Sequence, residues 1–354
     1  MSVALIALIV LWWGLIAYAV LGGADFGAGV WDLLAFGKQA ERQRKLISHA
    51  LGPVWEANHT WLIFLVVGLF NVFPSAFAAL FTALFVPFSI VLIGIVLRGA
   101  AFIFSYYAVN EQGPFARWSG RIFSVTSLIT PFFLGASAAA VASGKLLAPD
   151  GTARADLFAS WTSPFALTIG AMAVALCATL AAVYLTVEAN NGKDEDLAEQ
   201  YRLRALISGA VTAALGALGL FFSLSDAPTL WSGMLAHALP VVIATMLIGL
   251  ATAVMLFRKK YPLARTLIIT EAAFLLSSWG LSQYPYIIPP YFTIDNAANA
   301  PNVIVTLLIG IGIGLLILIP SLYYLFSVFK LPYPVPGMKG QEKQEQQQKA
   351  GATK

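Results

Sequence analysis

Two carboxylates and a histidine lie inside apolar stretches, where their chemistry needs an explanation. Asp25 lies in a glycine-rich stretch that follows the first apolar run, and Glu56 and His59 lie near the start of the second run. Residues three or four apart share one face of a helix, so Glu56 and His59 would form a polar face. Acidic groups are costly in hydrocarbon and are functional candidates there by default. The pattern predicts a site for proton or ion transfer.

Each of these residues also has a plainer interpretation. Glu56 is predicted to lie roughly 12–16 Å along its helix, where it would relay protons or make a structural hydrogen bond to another helix. Asp25 would belong to a proton entrance, or would cap a short amphipathic stretch at 26–36. His59 would be a proton relay, a haem ligand or a satisfied polar contact.

Arg98 closes the third apolar run and is followed by further apolar residues. A partly buried guanidinium needs a counter-charge, and the sequence offers Asp25 and Glu56 on the same predicted side. The alternative is that Arg98 extends to the lipid headgroups. Glu271 lies six residues after Arg265 and is a further candidate for burial, with an open role.

The composition is that of a membrane protein with several spans. Of 354 residues, 59% are hydrophobic and 11% are charged, whereas a soluble domain carries about 25% charged residues. The basic residues are spread between apolar runs rather than gathered in one patch, which argues against nucleic acid as a partner. The sequence contains no motif typical of a nucleotide or metal site.

Nine apolar runs reach the length of about 20 residues that a transmembrane helix needs. The predicted spans are 3–23, 50–70, 76–98, 119–143, 162–187, 203–224, 236–257, 265–284 and 302–328. We therefore predict an all-α, polytopic protein with a nine-helix transmembrane domain at 1–330, which resembles two four-helix halves plus one helix. The Gln- and Lys-rich tail at 331–354 is predicted to be disordered and cytoplasmic.

The basic residues also predict the orientation. The connections that flank the inner ends of the first, third, fifth and seventh spans, span ends included, and the C-terminal segment from Lys330 onward hold four, three, three, four and five Lys or Arg residues. The opposite side holds only Lys145 and Arg154. Because Lys and Arg concentrate in cytoplasmic loops, the N-terminus is predicted outside and the C-terminus inside the cell membrane.

Several motifs resemble those of subunit II of the cytochrome bd-type quinol oxidases. They are GlyAlaAspPheGlyAlaGly at 23–29, GlyProValTrpGluAlaAsnHisThrTrpLeu at 52–62, LeuArgGlyAlaAlaPhe at 97–102 and GlnTyrProTyrIleIlePro at 283–289. The order, spacing and helix count agree with that family. One departure is that Ile103 and Ser105 stand where many members carry an acidic and then a basic residue.

The resemblance implies an integral subunit of a terminal oxidase that oxidises membrane quinol and reduces O2 to water with protons from the cytoplasm. Haem b and haem d are expected in the partner, subunit I, and no cofactor is expected in this chain apart from a possible structural quinone. The expected partners are subunit I, membrane lipid and quinol, with a small third subunit left open. Glu56 matches the family's membrane-embedded acid of a proton pathway, and Asp25 matches the acid of its first-helix motif.

Two other functions compete with this interpretation. A secondary transporter would use Glu56 as a proton-coupling site near interrupted helices. A structural scaffold subunit would use no residue in proton transfer.

Overall fold

The computed structural model describes residues 2–51, 55–106, 113–148, 151–152, 156 and 158–330. Side chains are described for the same residues except 51, 55–57, 105–106, 114, 116, 325–326 and 328–330. The described chain is almost entirely helical. The helices are α1 Val3–Leu33, α2 Ala40–Leu51, α3 Trp55–Val72, α4 Pro74–Ala83, α5 Phe85–Tyr106, α6 Pro114–Ala142, α7 Pro164–Asn191, α8 Glu195–Asp226, α9 Pro228–Gly233, α10 Leu239–Phe257, α11 Tyr261–Gln283 and α12 Pro301–Lys330.

The helix starts follow from local sequence. Ser2, Ser163 and Asp194 each accept a hydrogen bond from a backbone N–H in the first turn of α1, α7 and α8, which is how a capping side chain satisfies an unpaired donor. Proline stands in the first turn of α4, α6, α7, α9, α10 and α11, where its missing N–H costs nothing. A π-helical turn, Met234–Ala238, joins α9 to α10.

Every predicted span overlaps a helix, but only part of the membrane topology can be read from the structure. Seven described helices are long and apolar enough to cross a membrane, and two shorter apolar helices cover Asn58–Val72 and Pro74–Ala83. The count of nine and the orientation remain predictions. A two-stranded antiparallel hairpin, Tyr286–Ile288 with Phe292–Thr293, lies between α11 and α12.

Three local expectations were wrong. The helix α1 continues to Leu33, so Asp25 lies inside a helix and does not cap a stretch at 26–36. Residues 40–51, predicted as a basic loop and the start of a span, form the separate amphipathic helix α2. Arg98 does not close its span, because α5 continues to Tyr106.

The glycines of α1 permit close packing rather than a break. A Cβ atom on Gly27 would lie 1.8 Å from the carbonyl oxygen of Cys177 in α7, so only glycine allows this approach. Small buried residues of α1 and α7, including Ala28 and Ala181, continue the contact into one core with α8 and α11. The described residues divide into two compact units between Ile304 and Val305. The predicted tail, 331–354, lies outside the described residues.

A buried ion pair and a polar column between α1 and α6

Asp25 and Arg98 form a two-pronged ion pair inside the bundle. Arg98 Nη1 donates to Asp25 Oδ2 at 2.6 Å, and Nη2 donates to Oδ1 at 2.8 Å and to the Asp25 carbonyl oxygen at 3.1 Å. Both side chains are only 2% exposed. The structure thus pairs Arg98 with one of the two counter-charges that the sequence offered.

The third nitrogen of the Arg98 guanidinium is also bonded to the protein. Nε donates to Ser127 Oγ of α6 at 2.8 Å, and Ser127 Oγ donates to the Phe123 carbonyl at 2.7 Å. The rings of Phe26 and Phe123 lie 4.9 Å and 4.5 Å from the guanidinium carbon, within the range of a cation–π contact. Helices α1, α5 and α6 are therefore fixed to one another through a single cation.

The Arg98 guanidinium is the counter-charge that makes the burial of the Asp25 carboxylate tolerable. Two buried charges are tolerated only when their hydrogen bonds are satisfied, and removing one partner of such a pair costs about 3–5 kcal/mol. The two-pronged contact therefore joins α1 to α5 inside the bundle.

On α3, the structure describes the side chains of Asn58 and His59. The His59 ring lies 6.4 Å from the ring of Phe26, edge to face, and so approaches the residue that covers Arg98. Asn58 is buried, and its Oδ1 atom has no hydrogen-bond partner among the described residues. The backbone of Glu56 belongs to α3, but its side chain lies outside the described residues.

Polar residues recur along α1 and α6, which meet directly at Asp32 and Ser124 and, through Arg98, at Asp25 and Ser127. The residues on α1 are spaced by seven, and those on α6 by three, so each set follows one helix face. We call this set the polar column: Tyr18, Asp25 and Asp32 on α1, and Ser124, Ser127 and Thr130 on α6.

One end of the polar column reaches the basic end of the bundle, where α2 carries Arg42, Arg44 and Lys45. Ser124 Oγ donates to Asp32 Oδ2 at 2.6 Å, and Arg44 Nε lies 3.3 Å from Asp32 Oδ1. The Asp32 side chain is 18% exposed in this chain. This residue is two helical turns from Asp25.

The other end of the polar column contains hydroxyl groups without protein partners. Tyr18 Oη and Thr130 Oγ1 are buried and have no hydrogen-bond partner among the described residues. Tyr18 shares a buried cluster with Phe26 and lies within electrostatic range of Asp25 and Arg98. Thr130 Oγ1 lies against Gly94, one turn before Arg98 on α5. Buried polar groups of this kind are commonly satisfied by water.

Glu271 lies apart from this site. Glu271 lies on α11, and its Oε2 atom is 3.5 Å from Thr252 Oγ1 of α10. The carboxylate also packs against Gly249. The described residues offer Glu271 no ion pair.

Sequence reasoning missed Tyr18, Asp32 and the three hydroxyl residues of α6. The signal was present as the seven-residue spacing of 18, 25 and 32, which matches two helical turns. It was hidden because α1 was predicted to end near residue 23. No group of three or more His, Cys, Asp or Glu residues that could hold a metal ion occurs in the described part of the chain.

Together, these features define a multi-pass membrane protein with a buried charge pair in its first helices. The family model described as cytochrome bd terminal oxidase subunit II matches residues 3–329. The chain therefore belongs to this family, and it is a subunit of a bacterial quinol oxidase complex of the cell membrane.

Relatives and a solved structure agree with this assignment. The chain is 26% identical over 335 residues to the putative cytochrome bd menaquinol oxidase subunit II of Bacillus subtilis, covering 92% of this chain and 95% of that protein. It is 28% identical over 184 residues to the cytochrome bd-I ubiquinol oxidase subunit 2 of Escherichia coli, covering 49% of this chain and 47% of that protein. The bd oxidase structure from Geobacillus thermodenitrificans aligns with a TM-score of 0.76 at 24% identity, covering 94% of this chain and all of that chain.

These comparisons confirm the predicted family and its function as an oxidase subunit that partners with subunit I. The transporter alternative is not supported, because the family match spans nearly the whole chain. The functional roles of Glu56, Asp25, His59 and Arg98 remain predictions.

Proposed function

We propose that this subunit delivers protons from the basic end of the bundle toward the site of O2 reduction in the oxidase complex. The polar column carries the proposal, because it includes a partly exposed carboxylate, Asp32, the buried ion pair and two enclosed hydroxyls. Reduction of O2 to water consumes one proton per electron, so a membrane-embedded oxidase needs such a route.

The residues fall into two groups. We call the structural residues the frame and the residues proposed to transfer protons the path. Asp25 and Arg98 form the frame, because every polar atom of the Arg98 guanidinium is bonded to the protein. The path consists of groups with spare hydrogen-bonding capacity. Tyr18 and Thr130 would hold water molecules, since hydroxyls can donate and accept. Glu56 would be the proton carrier, which rests on its motif and on its place one turn before His59.

The cofactors and remaining partners follow the family resemblance. Haem b and haem d would be held by subunit I, and any quinone in this chain would be structural. We also propose that the basic end of the bundle is cytoplasmic. The presence of a small third subunit and the identity of the quinol are left open.

Replacing Glu56 tests the proton-carrier role. Glu56→Gln keeps the size and hydrogen bonds of the side chain but cannot exchange a proton. We expect quinol-driven O2 uptake by the purified complex to fall about a hundredfold, the lower end of what a positioned proton-transfer group contributes. Glu56→Asp keeps the carboxyl group and should retain part of the turnover, and both variants should have normal haem content.

Glu188→Gln is the matched control, because it makes the same change in another carboxylate near a helix end, in α7. It should leave turnover unchanged. Full haem content with wild-type turnover in Glu56→Gln would favour the scaffold alternative. Loss of haem from that variant would place Glu56 in assembly instead.

A further inference from the structure

Arg204, on α8, is a half-buried cation that no described residue neutralises. Its guanidinium carbon lies 5.3 Å from the centre of the Trp31 ring and 4.9 Å from that of Tyr201. Its Nη2 donates to Gln43 Oε1 at 3.1 Å. Nη1 is enclosed and has no hydrogen-bond acceptor among the described residues.

Three carboxylates at this end of the bundle already have other partners. Asp194 pairs with Arg42, Asp32 with Arg44, and Glu199 with Arg202 and Lys259. Arg204 forms no ion pair within the described residues. A partly buried charge without a counter-charge is unfavourable, so this position is suited to bind an anion from outside the chain.

An apolar crevice lies beside the same tryptophan. It has a volume of ≈ 340 Å³ and runs between α1, α7 and α8. Most of its wall is formed by Trp31, Val174, Ala178, Ile207, Ser208 and Val211. Ser208 Oγ donates to the Arg204 carbonyl oxygen, so the one hydroxyl in this wall is already used. The crevice offers a surface for hydrocarbon and no hydrogen bonds for a peptide.

We propose that this crevice and Arg204 bind an anionic phospholipid. An acyl chain would lie in the crevice against Val174 and Val211, and the phosphate would pair with the exposed part of the half-buried Arg204 side chain. Basic groups between helices, at the membrane face rich in Lys and Arg, commonly bind anionic headgroups. The proposal is independent of the proton pathway, because Arg204 lies outside the polar column.

Lipid binding to the purified, delipidated oxidase complex tests the proposal. Native mass spectrometry would count bound molecules during titration with phosphatidylglycerol, with phosphatidylcholine and with inorganic phosphate. We expect phosphatidylglycerol to bind best, and Arg204→Gln to weaken its binding about tenfold or more. Arg202→Gln is the matched control, since Arg202 is two residues earlier on α8 and already pairs with Glu199.

A second variant separates a lipid from a free anion. Val211→Phe fills the crevice without changing a charge, and it should also weaken phosphatidylglycerol binding. Equal losses in Arg204→Gln and Arg202→Gln would overturn the proposal. Two results together would show an anion site that does not bind lipid. Inorganic phosphate would displace phosphatidylglycerol fully, and Val211→Phe would leave phosphatidylglycerol binding unchanged. A cross-link between this surface and a carboxylate of another subunit would also overturn it.

Discussion

The carboxylates Asp25 and Glu271 both lie on apolar helices, but the protein treats them differently. Asp25 has a two-pronged arginine partner, which is itself held by a serine and two aromatic rings. Within the described residues, the polar partner of Glu271 is the Thr252 hydroxyl, at 3.5 Å. The first arrangement joins three helices through charge, and the second adds one weak polar contact to the packing of α10 against α11. A carboxylate inside a membrane is therefore not by itself evidence of one role.

Arg98→Leu should have the largest effect on stability. It leaves Asp25 buried without a counter-charge, so the unfolding free energy of the purified complex should fall by about 3–5 kcal/mol. Arg117→Leu removes an exposed arginine and should change the unfolding free energy by about 0–1 kcal/mol. Adding Asp25→Leu to Arg98→Leu should recover part of the loss. Equal stability of the two single variants in denaturant titrations would contradict this account.

Gly29→Ala should have the next largest effect. A Cβ atom there would lie 2.2 Å from Ser127 Oγ, the atom that accepts from Arg98, so Ser127 or α6 must move. Overpacking of this kind costs about 1–3 kcal/mol. Gly120→Ala on α6 meets nothing within 4 Å and should be neutral or stabilising by up to about 1 kcal/mol. Thermal unfolding of both variants compares them directly, and a neutral Gly29→Ala would argue against tight packing at Ser127.

Glu271→Gln should have a small effect, which sharpens the contrast with Asp25. The amide can still accept from Thr252, and no buried cation loses its partner. We expect a change in unfolding free energy of about 1 kcal/mol or less. A loss as large as that of Arg98→Leu would reveal an ion pair of Glu271 elsewhere in the complex.

Each apolar span predicted from the sequence overlaps a helix, and the need of Arg98 for a counter-charge was also predicted, because hydropathy and charge are local properties. It did not predict that α1 continues through its glycines to Leu33. Glycine lowers helix propensity, but here tertiary packing outweighs it, since Gly27 lies directly against the Cys177 carbonyl. The role of Ser127 was equally hidden, because its bond to Arg98 depends on how α5 and α6 pack.

Proton uptake by the Tyr18→Phe variant tests the central claim most directly. The Tyr18 hydroxyl has no protein partner among the described residues, so its removal should leave stability and haem content unchanged. Proton uptake would be followed with a pH-indicator dye after mixing the fully reduced complex with O2. If the polar column carries protons, uptake should be several-fold slower than in the wild type. Uptake at the wild-type rate would contradict the proposed path.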